Sequence, residues 1–282
     1  MDIQWYPGHM ARARKQVQQS IKLVDVVIEL LDARIPASSR NPDIDRILGD
    51  KPRVIILNKS DLADHDITKA WIGFFRDRGN VAAAVDAQRG LGVTKLVSLV
   101  EKLAAPEIGK YMARGRRPRM ARCMVVGVPN VGKSMLINRL AGKKATRIAN
   151  RPGVTRGEQW IKLSGRLELL DTPGILWPKF QDPDTAFKLA VTGAIKEDIY
   201  DPEDVCVKLV RRLMEKSPSP VAELYKNTAI AEEPWDIIKS IGAARGFYQS
   251  GGRVDMKKTA VQIIKDFRDG RLGKHTLDLP GR

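Results

Sequence analysis

The feature that most constrains the fold of this chain is a glycine-rich loop at residues 127–134, which reads GVPNVGKS. It follows a short apolar run at 124–126 and precedes a helical pattern at 133–140. Gly-x4-Gly-Lys-Ser in that context predicts a phosphate loop, because backbone N–H groups at the start of a helix point at a bound anion. Lys133 is expected to bridge the β- and γ-phosphates, and Ser134 to ligate Mg²⁺.

Three further apolar runs, at 26–31, 54–57 and 167–170, have the length and composition of buried strands. Helical patterns, for example at 93–103, lie between the runs, and such alternation predicts a doubly wound, mostly parallel α/β sheet. From Asp184 onward we expect only helices, because apolar residues then recur at helical spacing. We therefore predict a sheet domain over 1–178 and a small all-α domain over 179–282. The expected buried stripes are Phe187, Ala190, Val191 and Ala194; Cys206, Leu209, Val210 and Leu213; and Ala260, Ile263, Ile264 and Phe267.

The tetrapeptide Asn58-Lys59-Ser60-Asp61 ends one of these strands and suits recognition of guanine. The Asp61 carboxylate can accept hydrogen bonds from guanine N1–H and the exocyclic amine, a pair of donors that adenine lacks. Lys59 is expected to lie along the base. Asp86 and Ala87, after a run at 81–85, are candidates to bring a backbone N–H near guanine O6.

Asp171-Thr172-Pro173-Gly174 follows the apolar run at 167–170, 37 residues after Ser134. The motif is weak in isolation, but this position lets Asp171 reach the Mg²⁺ shell and lets the Gly174 N–H meet the γ-phosphate. The loop that follows would then sense hydrolysis.

The formal net charge of +16 in 282 residues favours a polyanionic partner, with nucleic acid ahead of an anionic membrane surface. No apolar run is long enough to cross a bilayer, and the N-terminus does not resemble a secretory signal. Two cysteines form neither a disulfide framework nor a zinc pattern, so we expect buried, reduced thiols and a cytoplasmic location.

Residues 106–122 carry six basic residues against Glu107 and are either a solvated connector or a nucleic-acid contact. Residues 239–282 form a second basic segment.

Taken together, NKSD, DAQ, GVPNVGKS, PGVTRG and DTPG resemble the five elements of Ras-like GTPases, with the base-recognition pair placed before the phosphate loop. That order is similar to the circularly permuted GTPases. With WYPGHMARA and LDARIPASSRNP, the whole chain resembles the bacterial ribosome biogenesis GTPase A (YlqF/RbgA) group.

The resemblance implies a cytoplasmic GTPase that binds the assembling large (50S) ribosomal subunit and promotes its late maturation. It also implies that the helical domain over 179–282 binds ribosomal RNA, and ribosomal proteins are further expected partners. It also implies that Thr155 completes the Mg²⁺ shell and that Asn130 helps to hold K⁺. We expect a monomer without stable membrane association. The candidate nucleotide-binding residues are Asn58, Lys59, Ser60, Asp61, Asp86, Ala87, Asn130, Val131, Gly132, Lys133, Ser134, Met135, Thr155 and Gly174.

The chain departs from the common Ras-like pattern after Gly174, where Ile175 replaces the glutamine that orients the attacking water. The resemblance therefore implies slow hydrolysis alone and stimulation by the ribosome. His9 is the candidate for orienting water, beside Lys133 and Gly174 as catalytic residues, because an imidazole can accept or donate a proton near neutral pH. His9 equally suits contact with ribosomal RNA or simple packing.

Other functions remain open from sequence alone. A GTP-dependent RNA-modification factor would need extra catalytic residues, and neither a zinc cluster nor a partnered cysteine nucleophile is visible. A GTP-dependent RNA-binding scaffold would tolerate loss of turnover. Membrane-surface binding lacks an amphipathic apolar face to support it.

Overall fold

The structure is a computed structural model that describes residues 17–142, 160–163, 166–170, 182–216, 224–225 and 233–281. The described residues divide into two compact units. The sheet unit contains those between Val17 and Leu170 together with Thr276–Gly281, and the helical unit contains those between Asp182 and His275. The sequence prediction assigned all residues after 178 to the helical domain. In the structure, Thr276–Gly281 belong to the sheet unit instead.

Six strands form one sheet in the order β3-β2-β1-β4-β6-β5. All neighbours pair in parallel except β5 and β6, which are antiparallel. The predicted doubly wound α/β fold is confirmed. The strands are β1 (Val26–Asp32), β2 (Arg53–Asn58), β3 (Val81–Val85), β4 (Ala121–Val126), β5 (Trp160–Leu163) and β6 (Leu167–Leu170).

The predicted apolar runs lie on β1, β2, β4 and β6, and all seven residues of β1 are buried. A strand covered on both faces needs apolar residues on both, which is why these runs lack alternation. The sequence did not predict β5, because this short edge strand is half-exposed and carries little of that signal.

Among the described residues, the sheet unit has a helical turn at 17–20 and the helices α1 (Ile44–Leu48), α2 (His65–Asp77), α3 (Val93–Ala113) and α4 (Lys133–Ala141). Helix α3 extends ten residues beyond the predicted 93–103, because Pro106 removes only one N–H donor and the helix continues past it. Part of the basic segment 106–122 is therefore helical rather than an extended connector. Gly115, with φ of +73°, follows the end of the helix.

The helical unit contains α5 (Pro183–Val191), α6 (Pro202–Lys216), α7 (Pro234–Ala244) and α8 (Met256–Arg268). The three predicted stripes are buried as expected, although Ala194 lies just past the end of α5. The Asp201 carboxylate accepts a hydrogen bond from the Glu203 N–H at 2.8 Å, as expected for a residue that caps α6.

Both cysteines are buried and reduced, as predicted. Burial raises the pKa of the Cys123 thiol to about 12 and also raises that of Cys206. Neither thiol is therefore a ready nucleophile. Among the described helices, none is long and apolar enough to cross a membrane.

The last described residues return to the sheet unit and pack against the loop after β1 and against α2. The Leu277 N–H donates to the Arg34 carbonyl at 2.7 Å, and the Asp278 carboxylate accepts from both the N–H and the hydroxyl of Ser38. The indole N–H of Trp71 donates to the Asp278 carbonyl at 3.1 Å. These buried contacts explain why the C-terminal segment belongs to this unit.

Candidate nucleotide-binding site

The candidate site lies at the carboxyl edge of the sheet, where the order of strands changes direction. Successive strands β1, β2 and β3 are laid down on one side, while β4 pairs with the other side of β1. Loops that leave β1 and β4 therefore diverge and open a crevice, the usual ligand position in such sheets. The phosphate loop follows β4, and the NKSD motif begins at the end of β2.

Asn58 joins the NKSD motif to the phosphate loop, which begins 69 residues further along the chain. Its buried side-chain amide donates to the Val131 carbonyl at 2.8 Å, and its side-chain oxygen accepts from the Ala87 N–H at 3.1 Å. One side chain thus connects the base-recognition strand with the phosphate loop and with the loop after β3. A buried amide whose donor and acceptor are both used fixes the relative position of all three segments.

Lys59 makes a second link between the NKSD motif and the phosphate loop. Its ammonium donates to the Asn130 carbonyl at 2.7 Å and lies 3.0 Å from an Asp32 carboxylate oxygen. Lys59 and Asn130 have positive φ angles of 58° and 56°, the two non-glycine residues in the described chain that do. Such conformations concentrate at functional sites, where surrounding contacts hold them.

Ser60 and Asp61 follow in the turn that leads to α2. The Ser60 N–H donates to the Val85 carbonyl at 3.3 Å, and Asp61 is half-buried. Asp64 then caps α2 by accepting from the N–H groups of Asp66 and Ile67. The base-recognition residues are therefore held between the end of β2 and a well-capped helix.

At Gly127 and Gly132 the phosphate loop lies in close contact with β1 and with Asn58. A Cβ on Gly127 would lie 2.4 Å from the Leu30 carbonyl oxygen, and a Cβ on Gly132 would lie 2.3 Å from the Asn58 amide nitrogen. Gly132 also has φ of +102°. Side chains are excluded at both positions, and the loop approaches β1 and Asn58 as closely as backbone allows.

Lys133 folds back onto the loop, where its ammonium donates to the carbonyls of Gly127 at 2.9 Å and Val128 at 2.7 Å. Burial lowers the pKa of Lys133 to about 8. A poorly solvated ammonium at a helix N-terminus attracts a polyphosphate strongly. Ser134 and Met135 follow on the exposed first turn of α4.

The loop after β3 is a closed turn held from two sides. The Asp86 N–H donates to the Leu91 carbonyl, and the Asp86 carboxylate accepts from the Arg89 N–H at 2.9 Å. From α4, the Arg139 guanidinium donates to the carbonyls of Ala87 and Gln88. The Ala87 N–H, the group expected near guanine O6, is engaged by Asn58 in this structure.

The sequence did not predict two contributors to the candidate nucleotide-binding site, Arg139 and the Asp32–Arg34 pair. The Arg34 guanidinium donates to both Asp32 carboxylate oxygens, at 2.9 and 2.8 Å, inside the core. Burial alone would raise the pKa of Asp32, but the charges of Arg34 and Lys59 outweigh it and hold that pKa well below its usual range. The available signal was that β1, like β2, ends in a polar residue.

Four candidate residues, His9, Thr155, Asp171 and Gly174, lie outside the described residues. Within the described part of the chain, no group of three or more His, Cys, Asp or Glu side chains is arranged to hold a metal ion.

Comparisons with known proteins agree with this geometry. A family profile described as "50S ribosome-binding GTPase" matches residues 122–237. The crystal structure of GNP-bound YlqF from T. maritima superposes with a TM-score of 0.68 at 26% identity, covering 96% of this chain and 99% of that one. The fold and site define a P-loop GTPase whose base-recognition motif precedes its phosphate loop, a circularly permuted GTPase.

The ribosome biogenesis GTPase A of Bacillus cereus is 47% identical over 280 residues, which cover 99% of this chain and 95% of that protein. That of Priestia megaterium is 48% identical over 281 residues, covering 99% and 98%. The chain belongs to the ribosome biogenesis GTPase A family.

Proposed function

We propose that this GTPase binds the assembling large (50S) ribosomal subunit in the cytoplasm, promotes its late maturation, and leaves after hydrolysing GTP to GDP and phosphate. The observation that carries the nucleotide part is Asn58, which joins the NKSD motif to the phosphate loop through Val131. The relatives' names and the net charge of +16 support the ribosomal part, because a basic surface favours ribosomal RNA. The helical unit, whose segment 239–275 holds nine basic and three acidic residues, is the proposed RNA-binding part, and ribosomal proteins are further proposed contacts.

Lys133 has the central role in binding GTP. In the structure its ammonium is satisfied by two loop carbonyls, and we propose that the β- and γ-phosphates replace them as partners. Gly132 and Val131 contribute loop backbone, and Asp61 reads the guanine edge. Because Asn58 already fixes the phosphate loop and the loop after β3, nucleotide binding needs little reorganisation of these segments.

The residues present fit Mg²⁺ and K⁺. Ser134 offers an exposed hydroxyl on the first turn of α4, and Mg²⁺ accepts one or two protein oxygens beside phosphates and water. Thr155 and Asp171 are proposed ligands on sequence grounds. Asn130 is exposed beside the loop, and its amide oxygen is a suitable K⁺ ligand. Bound cations would neutralise charge that develops on the transferred phosphoryl group.

Hydrolysis is proposed to depend on the ribosome, because Ile175 stands where a water-orienting glutamine is usual in Ras-like enzymes. Gly174 is the proposed N–H donor to the γ-phosphate. His9 is the proposed group that orients water once the particle is bound.

The deciding experiment measures GTP turnover with and without purified large subunits, in K⁺ and in Na⁺ buffers, for the wild type, His9→Ala and Lys133→Ala. We expect subunits to stimulate the wild type, more strongly in K⁺. His9→Ala should bind nucleotide normally but lose stimulation, whereas Lys133→Ala should lose nucleotide affinity. Absence of stimulation in the wild type would refute ribosome-dependent hydrolysis, and normal stimulation of His9→Ala would remove that residue from catalysis.

Base specificity gives an independent test at Asp61. The substitution Asp61→Asn replaces a carboxylate acceptor with an amide, which should weaken GTP binding by at least roughly 100-fold and improve binding of xanthosine triphosphate. Competition titration with both nucleotides measures the change. An unaltered preference for guanine would show that Asp61 does not read the base.

A further inference from the structure

A second candidate surface lies at the edge of the sheet opposite the phosphate loop. Helix α3 ends at Ala113 and β4 begins at Ala121, so the connection 114–120 lies beside the amino ends of the strands. The six residues of β4 span about 20 Å at roughly 3.3 Å per residue. This connection is therefore remote from the nucleotide.

The carboxylate of Asp25, which contacts this connection through Arg119, is already paired. Arg119 donates to both oxygens of Asp25 at 2.7 Å, and the Arg122 N–H donates to the same carboxylate at 2.8 Å. The Asp25 hydrogen bond raises the pKa of Arg119. Because Asp25 is used within this cluster, it does not offset the charges beside it.

The connection is ordered around one aromatic ring. The guanidinium carbons of Arg116 and Arg119 lie 4.8 and 5.1 Å from the centroid of the Tyr111 ring. Cation–π contacts of this kind hold arginines over a ring while their N–H groups still point to solvent. Arg116 thus presents its charge from a defined position.

Three exposed guanidinium groups remain available: those of Arg114, Arg116 and Arg117. Among the described residues, none of the three forms an ion pair with a carboxylate. On the preceding helix, the Glu107 carboxylate is paired with Lys110 at 2.8 Å. The local balance is strongly positive.

We propose that Arg114, Arg116 and Arg117, which we call the α3–β4 arginines, bind the phosphate backbone of large-subunit ribosomal RNA. This inference rests on the proposed ribosomal function and adds a contact on the GTPase domain itself. Arginine forks match phosphate oxygens in pairs, which favours RNA as the partner. A membrane surface fits less well, because the segment contains Gly115 and Pro118 and presents no continuous apolar stripe.

The test compares two variants that lose the same charge. One carries Arg114→Gln, Arg116→Gln and Arg117→Gln, and the control carries Arg46→Gln, Lys69→Gln and Lys95→Gln at exposed positions elsewhere. Affinity for purified large subunits is measured with a non-hydrolysable GTP analogue over a range of KCl concentrations. Loss of three phosphate contacts should weaken binding on the order of 10- to 100-fold and lower the salt slope by about 2 to 3.

The control variant should lose far less affinity, and both variants should keep wild-type nucleotide affinity and basal turnover. A third variant, with lysine at the three positions, should keep most of the salt slope because the charges remain. An unchanged slope in the glutamine variant, or equal losses in both glutamine variants, would overturn the inference.

Two further probes separate this inference from the proposed function. If the wild-type protein fails to bind large subunits, the proposed function fails. The inference is then tested by the salt slopes with which the wild type and the two glutamine variants bind isolated large-subunit ribosomal RNA. Vesicles containing phosphatidylglycerol test the other polyanion. Loss of vesicle binding with unchanged RNA binding would assign the arginines to a membrane surface and overturn the proposal.

Discussion

The two edges of the sheet handle negative charge in different ways. At the carboxyl edge, Asn58, Lys59 and Lys133 all have specific hydrogen-bond partners, and two glycines permit contacts that any side chain would block. At the amino edge, the α3–β4 arginines are exposed and lack carboxylate partners within the described residues. The first arrangement suits a single ligand in one position, and the second suits the extended polyanion proposed above.

The difference teaches what kind of change each edge can tolerate. A prearranged pocket depends on positions fixed to fractions of an ångström, so small steric changes there should abolish binding. A charged surface works by the number of contacts, so its losses should be graded and dependent on salt. Substitutions at the carboxyl edge test the first half of this comparison.

The largest effect is expected for Gly132→Ala. The added Cβ would lie 2.3 Å from the Asn58 amide nitrogen, which cannot retreat without breaking its bond to Val131, and φ of +102° is strained for alanine. We expect GTP affinity to fall by roughly 100-fold or more. Titration with a fluorescent GTP analogue measures the change.

Gly79→Ala is the matched control, because Gly79 also has a positive φ, of 74°, but its Cβ would meet open space. It should lose about 1 kcal/mol of stability and no nucleotide affinity. Equal losses of GTP affinity in both variants would show that backbone strain, rather than the contact with Asn58, matters.

The next largest effect is expected for Asn58→Ala. This change leaves the Val131 carbonyl and the Ala87 N–H without their buried partner, at a cost of about 1–3 kcal/mol in unfolding free energy. Guanine nucleotide affinity should fall as well, because the two loops lose their common support. Urea unfolding with and without GDP separates the two effects. Wild-type affinity in a destabilised variant would mean that the loops hold their positions independently.

A smaller effect, on stability alone, is expected for Asp278→Ala. Two Ser38 donors lose a buried carboxylate, which should cost about 1–2 kcal/mol. Urea unfolding of this variant is compared with Asp269→Ala, which removes an exposed carboxylate. If the two variants have the same free energy of unfolding, the contacts of Asp278 do not stabilise the sheet unit.

The smallest effect concerns the proton on Lys133. Because burial lowers its pKa to about 8 and bound phosphates favour the charged form, GTP binding should take up a proton above that pH. The uptake by Lys133 should be about 0.75 proton per GTP at pH 8.5 and near zero at pH 6.5. Calorimetry in buffers of different ionisation enthalpy measures it, and Lys133→Arg should abolish it. Equal uptake at both pH values would contradict the lowered pKa.

The sequence predicted the sheet and the position of both motifs because their signals are local. Apolar runs mark β1, β2 and β4, and the spacing of Gly127, Gly132 and Lys133 marks the phosphate loop. The shared role of Asn58 was not predicted, since its partners lie 29 and 73 residues away. Arg139 was also missed, because an arginine on an exposed helical turn looks like any solvated residue.

The packing of Thr276–Gly281 shows the same limit more strongly. Ser38 and Asp278 are 240 residues apart, and neither has a neighbourhood that predicts the contact. Short-range patterns report helices and strands, but pairing over such a separation depends on the completed fold.

Because the chain returns to the sheet unit at Thr276, the helical unit is in connectivity an insertion, joined to the same body at both of its ends. Two covalent links to the same body keep the effective concentration of one unit near the other high. A single cut before α5 would leave the helical unit held through the buried side chains of Leu277 and Asp278. Release of the helical unit therefore requires two separate events.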